Sequence, residues 1–105
     1  KSKFNHLTLV HANIMVTKAV ENLQEIKSFI AKENPRAAKK VAQLIKKTVF
    51  LLKNNPNLGK PSIVEGFREK LVAGLPFVIP YKVVENKIII VRIFHNKRKP
   101  MAWRF

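Results

Sequence analysis

The side chains best suited to chemistry are one histidine and three arginines in the last part of the chain: Arg68, Arg92, His95 and Arg98. Metal-free cleavage of RNA needs a base for the 2′-hydroxyl proton, an acid for the leaving oxygen, and cations for the charge on the phosphorane. Histidine titrates near neutral pH, and the guanidinium group binds phosphate in bidentate geometry. These four residues are therefore the candidate catalytic group. The alternative is that His95 is a structural residue at a strand end and that the arginines are solvated cations.

Other catalytic chemistries find little support in the residue types present. Glu65 or Glu69 could serve as the base of a nuclease, but the chain has no Cys, no Asp and only three His. Zinc sites need Cys, His or carboxylate ligands at characteristic spacings, and no acidic residue flanks His6 or His11. No serine stands in a nucleophile elbow. We expect neither a metal nor another cofactor.

The charge balance indicates an acidic partner. The chain carries 21 Lys and Arg against 6 Asp and Glu, a formal net charge of +15. Polyanions bind such surfaces because neutralised phosphates release counterions, and an acidic protein would complement the charge equally. Trp103 beside basic residues could also stack on exposed bases, or fold back on the sheet. The residues predicted to bind nucleic acid or another target are Arg68, Lys70, Lys82, Arg92, Lys97, Arg98, Lys99 and Trp103. The alternative is that excess lysine serves solubility alone.

Length and hydropathy favour one soluble domain spanning residues 1–105. Lys82 and Arg92 interrupt the most apolar stretch, so no run approaches the roughly 18 residues that cross a bilayer. Polar residues also interrupt the first 16 positions, where a secretory signal needs an apolar core. We expect a cytoplasmic protein.

The hydrophobic periodicity predicts an α+β fold. Apolar residues recur at helical spacing twice, and the Asn34-Pro35 pair between the two runs suits a helix end followed by a new helix with Asn34 as its cap. Thr17 is the predicted cap of the first helix, which should end near Glu33. Alternation with period two then predicts strands. The predicted order is an N-terminal strand (7–16), an αα-hairpin (17–33 and 35–53), and a three-stranded antiparallel meander (67–72, 77–84 and 88–95).

The parity of the strand residues sorts side chains between the two faces of the sheet. A three-residue loop over positions 85–87 would pair Val84 with Ile88. The face under the helices would then hold odd-numbered apolar residues, with Glu69 also on that side. The open face would hold Arg68, Lys70, Lys82 and Arg92 among Val78, Ile88, Ile90 and Phe94. An apolar surface of this kind usually has a partner, and Pro80 should distort the middle strand because it lacks an N–H.

Several stretches of the chain resemble the RelE/ParE superfamily of toxins, most closely its ParE-like branch. The resemblance lies in the predicted helices and their corner (19–26, 29–31 and 34–38) and in the segment that leaves the second helix, from Leu52 through Pro56 to Gly59. It continues in the predicted strands, at 66–69, 81–83 and 91–95. It implies a β-α-α-β-β-β fold and a toxin of a type II toxin–antitoxin system. It also implies a cognate acidic antitoxin, whose complex with the toxin represses their operon by binding operator DNA. The open apolar residues Val78, Ile88, Ile90 and Phe94 are the predicted antitoxin-binding surface.

The resemblance is compatible with two cellular targets of the toxin. ParE-like members are gyrase inhibitors and RelE-like members are ribosome-dependent mRNA endonucleases. His95 and Arg98 lie near functional positions of some nucleases, whereas Asn96 stands where those nucleases often carry Tyr and Lys99 where ParE-like chains often carry an acidic residue. The motif string favours a non-enzymatic inhibitor of DNA gyrase. The alternatives are a metal-independent mRNA endonuclease and a domain that has lost toxicity but still binds its antitoxin.

Overall fold

The computed structural model describes residues 7–10 and 13–98, which form two helices and seven strands. The helices are α1 (Thr17–Ala31) and α2 (Pro35–Asn54). Within the described residues, neither helix is long and apolar enough to cross a membrane. The strands are β1 (Leu7–Val10), β2 (Asn13–Val16), β3 (Lys60–Pro61), β4 (Arg68–Leu71), β5 (Phe77–Val84), β6 (Lys87–Ile90) and β7 (Phe94–His95), followed by a 3-10 turn, Asn96–Arg98.

The corner between the helices follows from two residues. Pro35 is the first residue of α2, where its missing N–H is not needed, and the Asn34 side-chain oxygen accepts a hydrogen bond of 3.0 Å from the Ala37 N–H. This cap was predicted and is confirmed. The predicted cap of α1 is wrong, because Val16 occupies the cap position and Thr17 is already helical.

The strands form one mixed sheet in the order β1-β2-β6-β5-β4-β3, and β7 pairs with β5 beyond β6. The predicted single strand over 7–16 is instead a hairpin, with Val10 opposite Asn13. Strand β2 runs parallel to β6, and the other pairs are antiparallel. The α+β class and the order of helices and meander are confirmed.

Both helices contribute to the core on one face of the sheet. Leu23 of α1 and Ile45 and Val49 of α2 pack with buried residues of the central strands. The strand and loop residues of this core are Met15, Val72, Ile79, Tyr81, Ile88, Ile90 and Ile93. This packing fixes which face of β5 and β6 is inward.

The turn between β5 and β6 corrects the predicted register. Only Glu85 and Asn86 form the loop, both at positive φ (49° and 67°), as a type I′ hairpin turn requires. Val84 therefore pairs with Lys87, and Tyr81 with Ile90. A shift of one residue moves every side chain to the other face. The prediction that Ile88 and Ile90 lie on the open face is wrong, since they are 2% and 0% exposed in the core.

The distortion expected at Pro80 takes the form of a bulge in the partner strand. Tyr81 pairs with Ile90 and Val78 with Phe94, so residues 91–93 lie opposite only residues 79 and 80. The Val91 N–H donates to the Pro80 carbonyl oxygen at 3.1 Å. One extra residue is thereby absorbed next to the proline, which cannot donate to the ladder.

Strand β4 also differs from the predicted parity. Arg68 lies opposite Tyr81 and Lys70 opposite Ile79, whereas Glu69 lies opposite Pro80. Directly opposed residues share a face, so Arg68 and Lys70 lie on the helix side of the sheet and Glu69 on the other side. Both predictions for this strand are wrong. Glu69 is only 4% exposed, and one of its carboxylate oxygens accepts a hydrogen bond from the Ser62 hydroxyl at 2.9 Å.

Candidate functional site

The predicted basic surface is divided between different parts of the molecule. Lys82 lies on the face away from the helices, with its ammonium 5.1 Å from the centroid of the Phe67 ring. Arg68 and Lys70 lie on the opposite face. Lys97 is exposed in the 3-10 turn, which ends at Arg98. The Arg98 side chain, Lys99 and Trp103 lie outside the described residues.

Arg68 connects the sheet to the loop that leaves α2. Its Nη1 donates a hydrogen bond of 2.6 Å to the Gly59 carbonyl oxygen. Part of its hydrogen-bonding capacity therefore serves the fold, although the side chain remains partly exposed.

Arg92 occupies the bulge beside Pro80. Its Nη1 donates to the Val91 carbonyl oxygen at 2.7 Å. Burial lowers the pKa of this guanidinium from its ordinary value, because a low-dielectric surrounding disfavours the charged form. The group still carries its charge at neutral pH.

His95 lies at the end of the sheet, opposite Phe77. The two rings meet edge to face, with centroids 5.6 Å apart and planes at 79°. The imidazole Nδ1 accepts a hydrogen bond from the Lys97 N–H at 3.1 Å. Because Arg68 lies opposite Tyr81, four residues along β5 from Phe77, it is roughly 13 Å away along the strand direction. The sheet does not bring His95 and Arg68 into one catalytic group.

Among the residues that the structure describes, no group of three His, Cys, Asp or Glu side chains is placed to hold a metal ion.

Tyr81 is a buried anchor on the helix side of the sheet, the face predicted for the odd-numbered residues of its strand. Its hydroxyl donates to the Pro56 carbonyl oxygen at 2.6 Å and accepts from the Gly59 N–H at 2.9 Å. Burial raises the pKa of this phenol, and the Gly59 hydrogen bond and the Arg68 charge partly offset the increase. Together with Arg68, it ties the 56–59 loop to the middle of the sheet. The sequence signal for this role was that Tyr81, the one tyrosine of the chain, stands in a largely apolar strand.

An apolar cleft of about 740 Å³ opens between α1, the 75–77 turn and the last strand. Phe29 lies at its wall with 70% of its surface exposed, although a large aromatic side chain usually has a burial partner. Asn22 fixes the cleft's geometry by accepting a hydrogen bond from the Ile93 N–H at 3.0 Å. The other lining residues include Ile26, Ile30, Val41, Leu75, Phe77, Phe94 and His95.

This cleft was missed because its walls are distant in sequence. The one local signal for the cleft was Phe29, a large apolar residue that lies beside the apolar stripe of α1 and not within it. Of the four residues predicted to bind the antitoxin, Ile88 and Ile90 are in the core and Val78 is 7% exposed. Phe94 is partly exposed and lines the cleft. Of these four residues, Phe94 is therefore the one at an accessible apolar site, the cleft, and other exposed apolar side chains such as Ile63 and Leu71 lie outside it.

Comparison with known proteins agrees with this fold. Residues 14–100 match the family model described as the ParE toxin of the type II toxin–antitoxin system parDE. The candidate toxin Y4kP of Sinorhizobium fredii (strain NGR234) is 32% identical over 85 residues, covering 81% of this chain and 88% of that protein. A chain of the chromosomal ParDE toxin–antitoxin system from P. aeruginosa superposes with a TM-score of 0.71 at 31% identity, covering 77% of this chain and 90% of the other.

Proposed function

The chain belongs to the ParE family of toxins from type II toxin–antitoxin systems, and from that membership we propose that it arrests growth by inhibiting DNA gyrase until a cognate antitoxin neutralises it. The observation that supports an inhibitor over a nuclease is the separation of His95 from Arg68 along β5. A cleavage site needs its acid, its base and the cation that stabilises the phosphorane within reach of one phosphate group. A protein that acts by binding needs no such assembly.

The apolar cleft is the proposed antitoxin-binding site. It offers a concave wall of aliphatic and aromatic side chains, and an exposed Phe29 suits the anchor of an amphipathic helix. The net charge of +15 favours an acidic partner by electrostatic steering. From the family, we also infer that the toxin–antitoxin complex binds its operator DNA and represses its own operon.

A supercoiling assay tests the proposed target. Purified toxin should reduce the supercoiling of relaxed plasmid by DNA gyrase, and the antitoxin encoded beside it should restore the activity. Normal supercoiling at saturating toxin would refute gyrase as the target. In parallel, primer extension on translated mRNA should show no toxin-dependent cuts. Cuts that disappear in His95→Ala would instead establish the nuclease alternative.

Two matched substitutions test the cleft. Phe29→Glu places a charge at the cleft wall, and we expect the antitoxin affinity to fall at least tenfold by calorimetry. Ile63→Glu is the control, because Ile63 is 81% exposed and does not line the cleft. Equal affinities for the two variants would place the antitoxin elsewhere. Thermal unfolding of both free variants verifies that each is folded.

A further inference from the structure

One side of α2 is rich in cations. Arg36, Lys39, Lys40, Lys46, Lys47 and Lys53 include pairs three, four and seven residues apart, and all six lie on the side of the helix turned away from the core. All six are exposed, and within the described part of the chain none is in a salt bridge. We call these six residues the α2 basic stripe. It extends along most of a 20-residue helix, about 30 Å in length.

The stripe works against the stability of the helix that carries it. Arg36 lies three residues before Lys39 and four before Lys40, spacings at which like charges on a helix repel each other, and no acidic residue occurs in α2 to compensate. Arg36 and Lys39 also lie near the helix N-terminus, where the macrodipole disfavours cations. A bound polyanion would remove both penalties.

We propose that the α2 basic stripe binds the phosphate backbone of duplex DNA. Binding to backbone phosphates needs cations and no apolar pocket. The first turns of the stripe fit this requirement best, since Gln43 is exposed among its cations there, and the exposed apolar residues Phe50 and Leu51 lie beside its C-terminal part. Sites for single strands normally add stacking aromatic residues to the charge, and protein interfaces have an apolar centre. The apolar surface suited to a protein lies in the cleft, on another side of the molecule.

The opposite side of α2 faces the core. Ala38, Ile45, Val49 and Leu52 are buried, and Val41 borders the cleft. The stripe is therefore available whether or not a partner fills the cleft. The inference is independent of the gyrase target, because its measurement uses DNA alone.

Fluorescence anisotropy with a labelled 30-base-pair duplex tests the proposal on the intact chain at 50 to 200 mM salt. The test variant is Lys40→Gln/Lys46→Gln/Lys47→Gln. The control is Lys18→Gln/Lys60→Gln/Lys87→Gln, which loses the same charge from exposed positions outside the stripe. We expect the test variant to bind at least tenfold more weakly at 100 mM salt. Its log–log salt slope should fall by about 2.7, which is 0.9 for each lost contact.

The control variant should bind within about threefold of the unmodified chain, and Lys40→Arg/Lys46→Arg/Lys47→Arg should retain binding because the charges remain. Equal losses in the test and control variants would show an effect of net charge alone and overturn the proposal. Absence of duplex binding at 50 mM salt would also overturn it. Tighter binding to single-stranded DNA, duplex RNA or polyglutamate of equal charge would overturn the assignment to duplex DNA. Circular dichroism verifies that all variants are folded.

Discussion

Removing one oxygen atom from Tyr81 should destabilise the whole domain. The side chain is 0% exposed, and its hydroxyl bridges the Pro56 carbonyl and the Gly59 N–H at 2.6 and 2.9 Å. In Tyr81→Phe the ring keeps its packing, but both backbone groups lose their partner. Gly59 itself is buried, so water cannot readily replace the phenol there.

The size of the effect follows from these two hydrogen bonds. A buried polar group left without a partner costs about 1–3 kcal/mol. Pro56 is only half-buried, and its carbonyl can recover part of this loss from water. We therefore expect Tyr81→Phe to lower the free energy of unfolding by about 2–4 kcal/mol. For a domain of this size the melting temperature should fall by roughly 10 °C or more.

Urea denaturation followed by circular dichroism measures this difference. Thr48→Val is the control, since it also removes a buried hydroxyl. The Thr48 hydroxyl donates to the Leu44 carbonyl oxygen at 3.0 Å, but that oxygen keeps its place in the helical hydrogen-bond ladder. The control should change stability by less than about 1 kcal/mol. A loss below about 0.5 kcal/mol in Tyr81→Phe would refute the reasoning about the 56–59 loop.

Three further predictions concern Tyr81, Gly59 and Asn34. The pKa of Tyr81 is raised above its ordinary 10.0, so above that pH the folded chain keeps a phenol proton that the unfolded chain releases. This contribution to the free energy of unfolding is full below about pH 10 and falls as the pH rises further. Between pH 9 and pH 11, urea denaturation should show a larger loss of stability in the unmodified chain than in Tyr81→Phe. Gly59→Ala places a Cβ 2.7 Å from the Glu69 carbonyl oxygen and 2.8 Å from the Tyr81 ring; it should cost about 1–3 kcal/mol, and unchanged thermal unfolding would contradict the close packing. Asn34→Ala removes the cap of α2 and should cost about 1 kcal/mol, whereas Asn34→Ser should recover most of it in the same unfolding assay.

The binding surfaces show how much of a site can be predicted from residue types alone. The net charge of +15 predicted a polyanion or an acidic protein as the partner, and helical spacing places the cations of the α2 basic stripe once the helix is known. The grouping of Arg68, Lys70, Lys82 and Arg92 on one face was wrong because it depended on register in two successive hairpins. His95 was correctly placed at a strand end, but its neighbours could not be inferred, since the bulge at 91–93 decides what lies opposite it.

Local chemistry in the sequence was sufficient to determine the two helices, the Asn34-Pro35 corner, the α+β class and the family. These features depend on periodicity and on residues that interact within a few positions of each other. Tertiary structure alone decided the two-residue turn at Glu85-Asn86, the compensating bulge, the cleft and the Tyr81 anchor. A strand alternates its faces at every residue, so one residue gained or lost in a turn exchanges core for surface. Only the packing of α1 and α2 against one face selects between those alternatives.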